Sequence, residues 1–596
     1  MHSLFSLWTK ARLKQPAASP FFLFRSFFIV TATLMAVGCS SAHYRKKADE
    51  EAYAIVKEME KRIFGKYSDF SIETRFSHRD PEDVPAPEII DERMMAGAIK
   101  LTLPEAIRLG TEHNRNYQSQ RENLYLEALT LSDRRFVFSP QFFGGSSPRV
   151  VREVDGDIRG EVNNSQVGVS QFMKTGGRLS AAVANDLLRY FTGDPRREAV
   201  SILTLNFAQP LLRGAGAAVV AENLTQAERN VIYQIRDFTQ FQREFAVGVV
   251  SEYYSLLQRK DTIRNNYRNY LSRKTARQRA EAQLRAQEGF LGSPKDRDLA
   301  VQSELNARNT YINSVNSYND AINSFVQNTL SLPVGSKIYL DDTAFETLEK
   351  VGLQPINLDL DEGYKMALQY FLPLLNEIDS FEDSKRKIKV ASNNLKADID
   401  FTSSASLNWD KEENYLEFDV DEITANAGLN IDLPFNRLGE RNNYRRTIIT
   451  FERAIRSLAQ NLDAKRTSID NGLRALRNAR ENYKNQYIGV IVADRRVKEQ
   501  EARAEAGNVD QQTLIDAQDD LIRSQNNKTQ SLVSYLNTRL DLLLELGIID
   551  TDVEDFWLKK PELLEDDEPP FFSTQMDKLL AEPLPTPEQI FAEPAL

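Results

Sequence analysis

The stretch Thr424–Pro434, TANAGLNIDLP, decides how the rest of the chain is read. Ala425, Ala427, Leu429, Ile431 and Leu433 fall on one side of an extended strand, and Thr424, Asn426, Gly428, Asn430 and Asp432 fall on the other. Successive side chains of a strand point to opposite faces, so this spacing gives a ribbon with one apolar face and one face of small polar residues. The segment Phe401–Trp409, FTSSASLNW, repeats the pattern, with Phe401, Ser403, Ala405, Leu407 and Trp409 opposed to Thr402, Ser404, Ser406 and Asn408. Between the two, residues 410–422, DKEENYLEFDVDE, are charged enough to form an external loop. A lone hairpin is marginal in water. A hairpin with one lipid-compatible face and one water-compatible face fits a piece of transmembrane barrel.

The chain around this hairpin is written twice. LTLPEAIRLGTEHN from Leu101 is matched by LDLDEGYKMALQYF from Leu358; each has an extended lead-in, an acid near a helix start and a break about a dozen residues on, at Asn114 and Pro373. LNFAQPLLRGAG from Leu205 is matched by LNIDLPFNRLGE from Leu429, with Pro210 beside Pro434 and Arg213 beside Arg437. AQEGFLGSPKDRDLA from Ala286 is matched by AEAGNVDQQTLIDA from Ala504. Three landmarks in the same order mark an internal duplication of roughly 200 residues or more, far longer than solenoid repeats. We divide the chain into residues 39–100 as an N-terminal segment with a linker, 101–350 and 351–550 as the two repeats, and 551–596 as an acidic, Pro-rich tail.

Each repeat reads as shorter helix, strands, very long helix, turn and shorter helix. The long helices are expected from about Ala217 to Gln287 and from about Gly439 to Ala506, each about 105 Å at 1.5 Å per residue. In the first repeat the shorter helices, Leu103–Ser139 and Pro294–Ser331, are about half that length, so two end to end match one long helix. Ile448, Ile455, Leu462, Ile469, Leu476, Tyr483 and Val490 recur every seven residues, with a weaker series at Val249, Leu256, Ile263 and Tyr270. A sustained seven-residue repeat implies left-handed supercoiling against a partner helix.

The strands of the first repeat are less plain. LTLNFAQ, residues 203–209, reads as its second strand; its first is either VNNSQVGVSQFM (162–173) or GRLSAAVAND (177–186), joined by KTGG, with LLRYFTGDPRREA (187–199) as an outer loop. This gives four membrane strands per chain, with the surplus strand outside the barrel. Four strands cannot close, and an open edge in lipid leaves backbone groups unsatisfied, so the reading requires oligomerisation.

The single cysteine, Cys39, ends the run SFFIVTATLMAVGC, which follows Lys10, Arg12, Lys14 and Arg25. A basic n-region, a short h-region and the AVGC site resemble a bacterial lipoprotein signal, cut after Gly38 and acylated on Cys39. Ser40 at the next position implies outer-membrane sorting in that pattern. Loss of the signal removes four cations and no acids, taking the net charge from −11 to −15. That charge argues against a nucleic-acid surface. Mean hydropathy of −0.46 leaves no hidden bundle of membrane helices.

The duplicated plan, QPLLRGAG after the strand, and AGNVDQQTLIDAQDDL followed by LNTRLDLLLELG resemble the TolC-like outer-membrane efflux proteins, and the lipid anchor resembles their lipoprotein branch. The resemblance covers about Leu101 to Ile549. It implies a mainly α fold with a small membrane β-barrel: a homotrimer whose four strands per chain close a twelve-stranded barrel over a long helical conduit. It implies an outer-membrane channel, anchored by lipid, with a long periplasmic portion. A periplasmic adaptor and an inner-membrane pump would be its partners, with small molecules as cargo. A duct for protein secretion is the variant within that class; a lipid-anchored periplasmic coiled coil is the rival outside it. The resemblance further places the turns at Gly289 and Gly507 at the periplasmic tips, lined by aspartates of the following helix. Aligned from Gly507, one falls on Asp516 and the other on Thr513, a departure for which Asp510 or Asp519 would substitute, while Asp296 and Asp298 add charge from the first repeat. Three copies of such acids around an axis would favour cations.

Other signals carry less. GAGAAV from Gly214 has Val219 where a dinucleotide fingerprint needs its third glycine, and no parallel βαβ unit follows. Gly214, Gly216 and Gly439, with Pro210 and Pro434, are better read as strand-to-helix turns. His2, His43, His78 and His113 form no metal spacing, and no nucleophile elbow or P-loop is present, so neither an enzyme nor a cofactor is expected.

Overall fold

The structure is a computed structural model. It describes residues 41–564 apart from 95–96, 153, 155, 157, 191–196, 287–292, 410–422, 434, 506–510 and 562. The signal segment with Cys39, the turns at Gly289 and Gly507, Asp510, Pro434 and most of the tail lie outside the described residues.

After helix α1 (Ser41–Phe64) and the short α2 (Ala86–Met94), strand β1 (Ala98–Leu101) opens the first repeat. Helices α3 (Leu103–His113) and α4 (Arg115–Phe136) lead into strands β2 (Gln141–Arg152), β3 (Ile158–Phe172), β4 (Arg178–Tyr190) and β5 (Arg197–Pro210). A single turn, α5 (Ala217–Val220), precedes α6 (Glu222–Ala286) and α7 (Pro294–Ser324). Strand β6 (Lys337–Leu340) and α8 (Thr343–Val351) close the first repeat, and the second holds α9 (Leu360–Tyr370), α10 (Leu372–Asn393), β7 (Asp398–Trp409), β8 (Ile423–Asp432), α11 (Leu438–Glu505) and α12 (Gln511–Leu546). Strand β1 pairs in parallel with β6, joining the start of the first repeat to its end.

Local chemistry sets the breaks. Thr102 and Glu105 form a capping box at the start of α3, and the Asn114 side chain accepts from the Tyr117 N–H to open α4. Asn114 then donates from Nδ2 to the carbonyls of Asn328 and Thr329, at 2.9 and 3.0 Å, so the kink is also a tether to the end of α7. Ser293 caps α7, with Pro294 in the first turn.

Helices α6 and α11 contain 65 and 68 residues, which is about 100 Å each. Helices α4 and α7 both pack along α6, and α10 and α12 both pack along α11, so paired shorter helices match each long one. The main core lies mid-length, where Val249, Val250, Tyr253 and Leu256 of α6, Ile469, Leu473 and Leu476 of α11 and Leu536, Leu540 and Leu543 of α12 are buried together. Burial along the seven-residue series of α11 is uneven: Ile469 to Tyr483 are inside, whereas Ile455 is 47 % exposed. In the half nearest the strands α10 covers part of this helix, with Phe381 stacked on Phe451, and leaves Ile448 and Leu462 half-buried and Ile455 exposed. A second core joins α1, α4 and α6 through Ile55, Val56, Leu124, Leu131 and Ile235. Tyr125 Oη donates to Asp49 at 2.7 Å and Arg135 reaches Glu58 at 3.4 Å. Those pairs advance together along both helices, so α1 runs in the same direction as α4, toward the strands.

The sheet holds more strands than the four expected to cross the membrane. Strands β2, β3, β4, β5, β7 and β8 form one antiparallel six-stranded sheet in that order. Both stretches that competed for one strand are strands, β3 and β4, with KTGG as the turn between them. The expected outer loop 187–199 is shorter, because β4 runs on to Tyr190 and β5 starts at Arg197. Strand β2, QFFGGSSPRVVR, escapes a periodicity reading because Gly144, Gly145, Ser146, Ser147 and Pro148 interrupt the apolar alternation. A bulge shifts the β2–β3 register between Gly145 and Ser147.

Candidate functional site

The sheet has two chemically distinct faces, and cross-strand register makes each continuous. Phe142, Val169, Ala181, Leu205, Ala405 and Ala425 form one row across all six strands. The adjacent row on the other face is Gln141, Ser170, Ser180, Asn206, Ser404 and Asn426. Directly opposed residues of antiparallel strands point the same way, so an apolar row and a polar row cannot mix. The apolar face is open: Phe142 is 84 %, Val167 72 % and Leu429 59 % exposed. Monomeric soluble proteins rarely present a patch of this kind. The strands contain 10 to 15 residues, where about 9–11 suffice to cross a bilayer. On the polar face Phe143 lies over Gly168, where an added Cβ would stand 2.6 Å from both the Phe143 ring and the Ala181 carbonyl.

The strand-to-helix turn of the first repeat sits at the base of this sheet. Pro210 ends β5, and the Leu211 and Arg213 N–H groups donate to Ile399 and Ala397 carbonyls at 2.8 and 3.2 Å. Gly214 and Gly216 take φ of +71° and +91°, a region L side chains rarely occupy. The Gly214 N–H donates to Asn393 Oδ1 at 2.8 Å, and the Gly216 N–H to the Thr175 carbonyl at 3.1 Å. Gly439 lies in the first turn of α11, where an added Cβ meets nothing within 4 Å.

Just below, α6 and α10 are joined through a buried carboxylate. Asp383 accepts from Arg386 at 2.6 Å, Tyr233 Oη at 2.7 Å and Gln226 at 3.0 Å, with Arg229 at 3.5 Å. Burial alone would raise its pKa, but the hydrogen bonds from Tyr233, Arg386 and Gln226 and the nearby cations outweigh it and hold the carboxyl below its ordinary value.

The acids expected at the far end of the helices fall into different situations. Asp519 accepts from Arg273 at 2.6 Å, and that guanidinium is 1 % exposed. Asp298 pairs with Arg297, and Asp296 accepts from Ser293 Oγ in the cap of α7. Asp520 bridges Arg496 and Arg523. Asp516 is exposed and accepts from Gln512 at 2.8 Å, an uncharged partner on its own helix. Arg273 was missed, although Asn266, Arg273 and Ala280 continue along α6 at seven-residue spacing and all three are buried. Among the described residues no group of three or more His, Cys, Asp or Glu is placed to hold a metal, and no helix is long and apolar enough to cross a membrane.

No family model matches the sequence, and no curated protein matches it. Solved structures do. The chain is similar to the CmeC outer membrane channel of Campylobacter jejuni, with a TM-score of 0.51 at 12 % identity over 75 % of this chain and 85 % of that one. It is similar to the outer membrane protein VceC of Vibrio cholerae, with a TM-score of 0.53 at 12 % identity over 75 % and 96 %. The open-state MtrE outer membrane channel of Neisseria gonorrhoeae gives 0.52 at 13 % over 75 % and 88 %. The resemblance to TolC-like proteins therefore holds at the level of fold.

Proposed function

We propose that this chain is one subunit of an outer-membrane channel that carries small molecules outward as part of a tripartite export system. The observation that carries the reading is the pair of alternating rows: an open apolar face for lipid and a polar face for a lumen, on strands that continue into helices about 100 Å long. The subunits form a homotrimer. The incompletely covered apolar seam of α11 near the strands, where Ile455 is exposed, supports a neighbouring copy at that level. A periplasmic adaptor and an inner-membrane pump engage the far end of the helices, and Asp516 contributes to a cation-favouring ring there. An acyl anchor on Cys39 belongs to the same reading and rests on the signal-like sequence. The chain has no catalytic role in this scheme.

The test is electrical and hydrodynamic. Full-length protein extracted by detergent from outer membranes should run as a heat-modifiable oligomer and give stepwise ion conductance in planar bilayers. A water-soluble, non-conducting coiled coil would refute the proposal.

A further inference from the structure

We propose that the assembled barrel is built from six strands of every chain, with the free edge of β2 pairing to β8 of a second copy, so that a trimer closes eighteen strands rather than twelve. The inference rests on the channel reading for the number of subunits and on the sheet for everything else. Strands β2 and β8 are the two edges of the six-stranded sheet. Among the described residues no further strand lies beside either edge, and lipid cannot satisfy the outward N–H and C=O groups of a strand edge. Six is even and every neighbouring pair is antiparallel, so β2 and β8 run in opposite directions. One copy's β2 therefore meets the next copy's β8 as a further antiparallel pair, and the ring closes with no mismatch of direction.

The alternative is that the extra strands fold away and β4 is the true edge. Three observations oppose it. The apolar row reaches β2 at Phe142 and β3 at Val169, and the polar row reaches Gln141 and Ser170, so the outer strands carry the same two faces as the inner four. Gly168 leaves room for the Phe143 ring against Ala182, fitting β2, β3 and β4 together at one point. The β3–β4 turn is fixed to the barrel base, because the Gly216 N–H and the Gln209 amide both donate to the Thr175 carbonyl, at 3.1 and 3.2 Å. At this same end of β3, Phe172 stacks on Phe138, which follows α4, with ring centres 5.5 Å apart.

The consequence is a wider exit. Strands about 4.8 Å apart and tilted about 40° close eighteen strands at a diameter of about 36 Å, against about 24 Å for twelve. Cysteine pairs in the full-length protein in its native membrane distinguish the two. Phe142→Cys on β2 is combined in turn with Ala425→Cys, Ala427→Cys, Leu429→Cys and Ile431→Cys on β8. A second set combines the same β8 substitutions with Leu179→Cys or Val183→Cys on β4. Oxidation should link the first set into a covalent ladder ending at three subunits and leave the second set unlinked. Links between β4 and β8, or none in either set within an intact oligomer, would overturn the eighteen-strand barrel while leaving the channel standing. A protein that is monomeric and non-conducting before oxidation would instead bring down the channel reading itself.

Discussion

Substituting Asp383→Asn keeps the shape of the side chain at the α6–α10 junction and removes its charge. The carboxylate is 3 % exposed and takes hydrogen bonds from Arg386, Tyr233 and Gln226. An asparagine keeps one acceptor oxygen but turns an NH₂ toward donors, so at least one charged hydrogen bond is lost and another group is left facing a donor. Breaking a buried ion pair from one side costs about 3–5 kcal/mol. Arg229 and Arg386 retain Asp379 at 3.1 Å and Glu222 at 3.1 Å. The lower end therefore applies, about 3 kcal/mol. The readout is amide hydrogen exchange in residues 222–236 and 376–390, since one global unfolding energy is ill defined for a large assembly. A loss of that size speeds exchange by about two orders of magnitude. The pH dependence has a definite sign. The folded pKa lies below the unfolded value, so the stabilisation is present above the unfolded value and is lost as pH falls through the folded one. After correction for intrinsic rates, parent protein should lose protection here below its ordinary carboxyl range, and Asp383→Asn should lack that step. Acceleration of less than about fivefold, near 1 kcal/mol, would show that the carboxylate is not the clasp described.

Gly168→Ala places a Cβ 2.6 Å from the Ala181 carbonyl. We expect about 1–3 kcal/mol of overpacking and a lower melting temperature for the oligomer on semi-native gels; adding Phe143→Ala should not restore it fully, because the carbonyl remains. Unchanged melting would mean that the strands are not packed as described. Arg539 is fully buried, donates to the Trp557 and Lys559 carbonyls at 3.1 and 2.6 Å, and has its pKa pulled down to about 10 by burial. Arg539→Ala should cost about 3 kcal/mol and expose residues 551–564 to protease, and a resistant segment would refute its role as the tie. Asp516→Asn should weaken block of the channel by multivalent cations, whereas unaltered conductance and block would remove Asp516 from the mouth.

Periodicity and punctuation made most of the scaffold legible. The seven-residue series, the breaks at Asn114 and Pro373 and the clean alternation of 401–409 and 424–433 each report a local backbone preference directly. Strand β2 was illegible for a physical reason: glycine, serine and proline in its middle carry little facial pattern, and its place depends on pairing with β3. The far-end acids show the other limit. Their count was plain, but Asp519 faces Arg273 across some 246 residues of sequence separation, and only the packing of α12 on α6 reveals that its charge is already matched. Asp383 was invisible for the same reason, since its partners Tyr233 and Gln226 come from the opposite repeat.

The direction of α1 sets a reach problem. Ser41 begins α1 and Glu58 sits beside Arg135 near the foot of the sheet. Seventeen residues of helix place Ser41 about 26 Å farther from the strands. From there to Cys39 is two residues, a span of at most about 7 Å. A docked α1 and an acyl chain seated in the leaflet that the strands cross are therefore mutually exclusive positions of one segment. Acylation would convert α1 from a fixed buttress of α4 and α6 into a leash, uncovering Leu124, Leu131 and Ile235 for another occupant. A disulfide locking α1 to α4, through Ile55→Cys and Ala128→Cys, would put the two states in competition. Locked protein with its strands inserted and its acyl chain seated in the same leaflet would contradict this geometry.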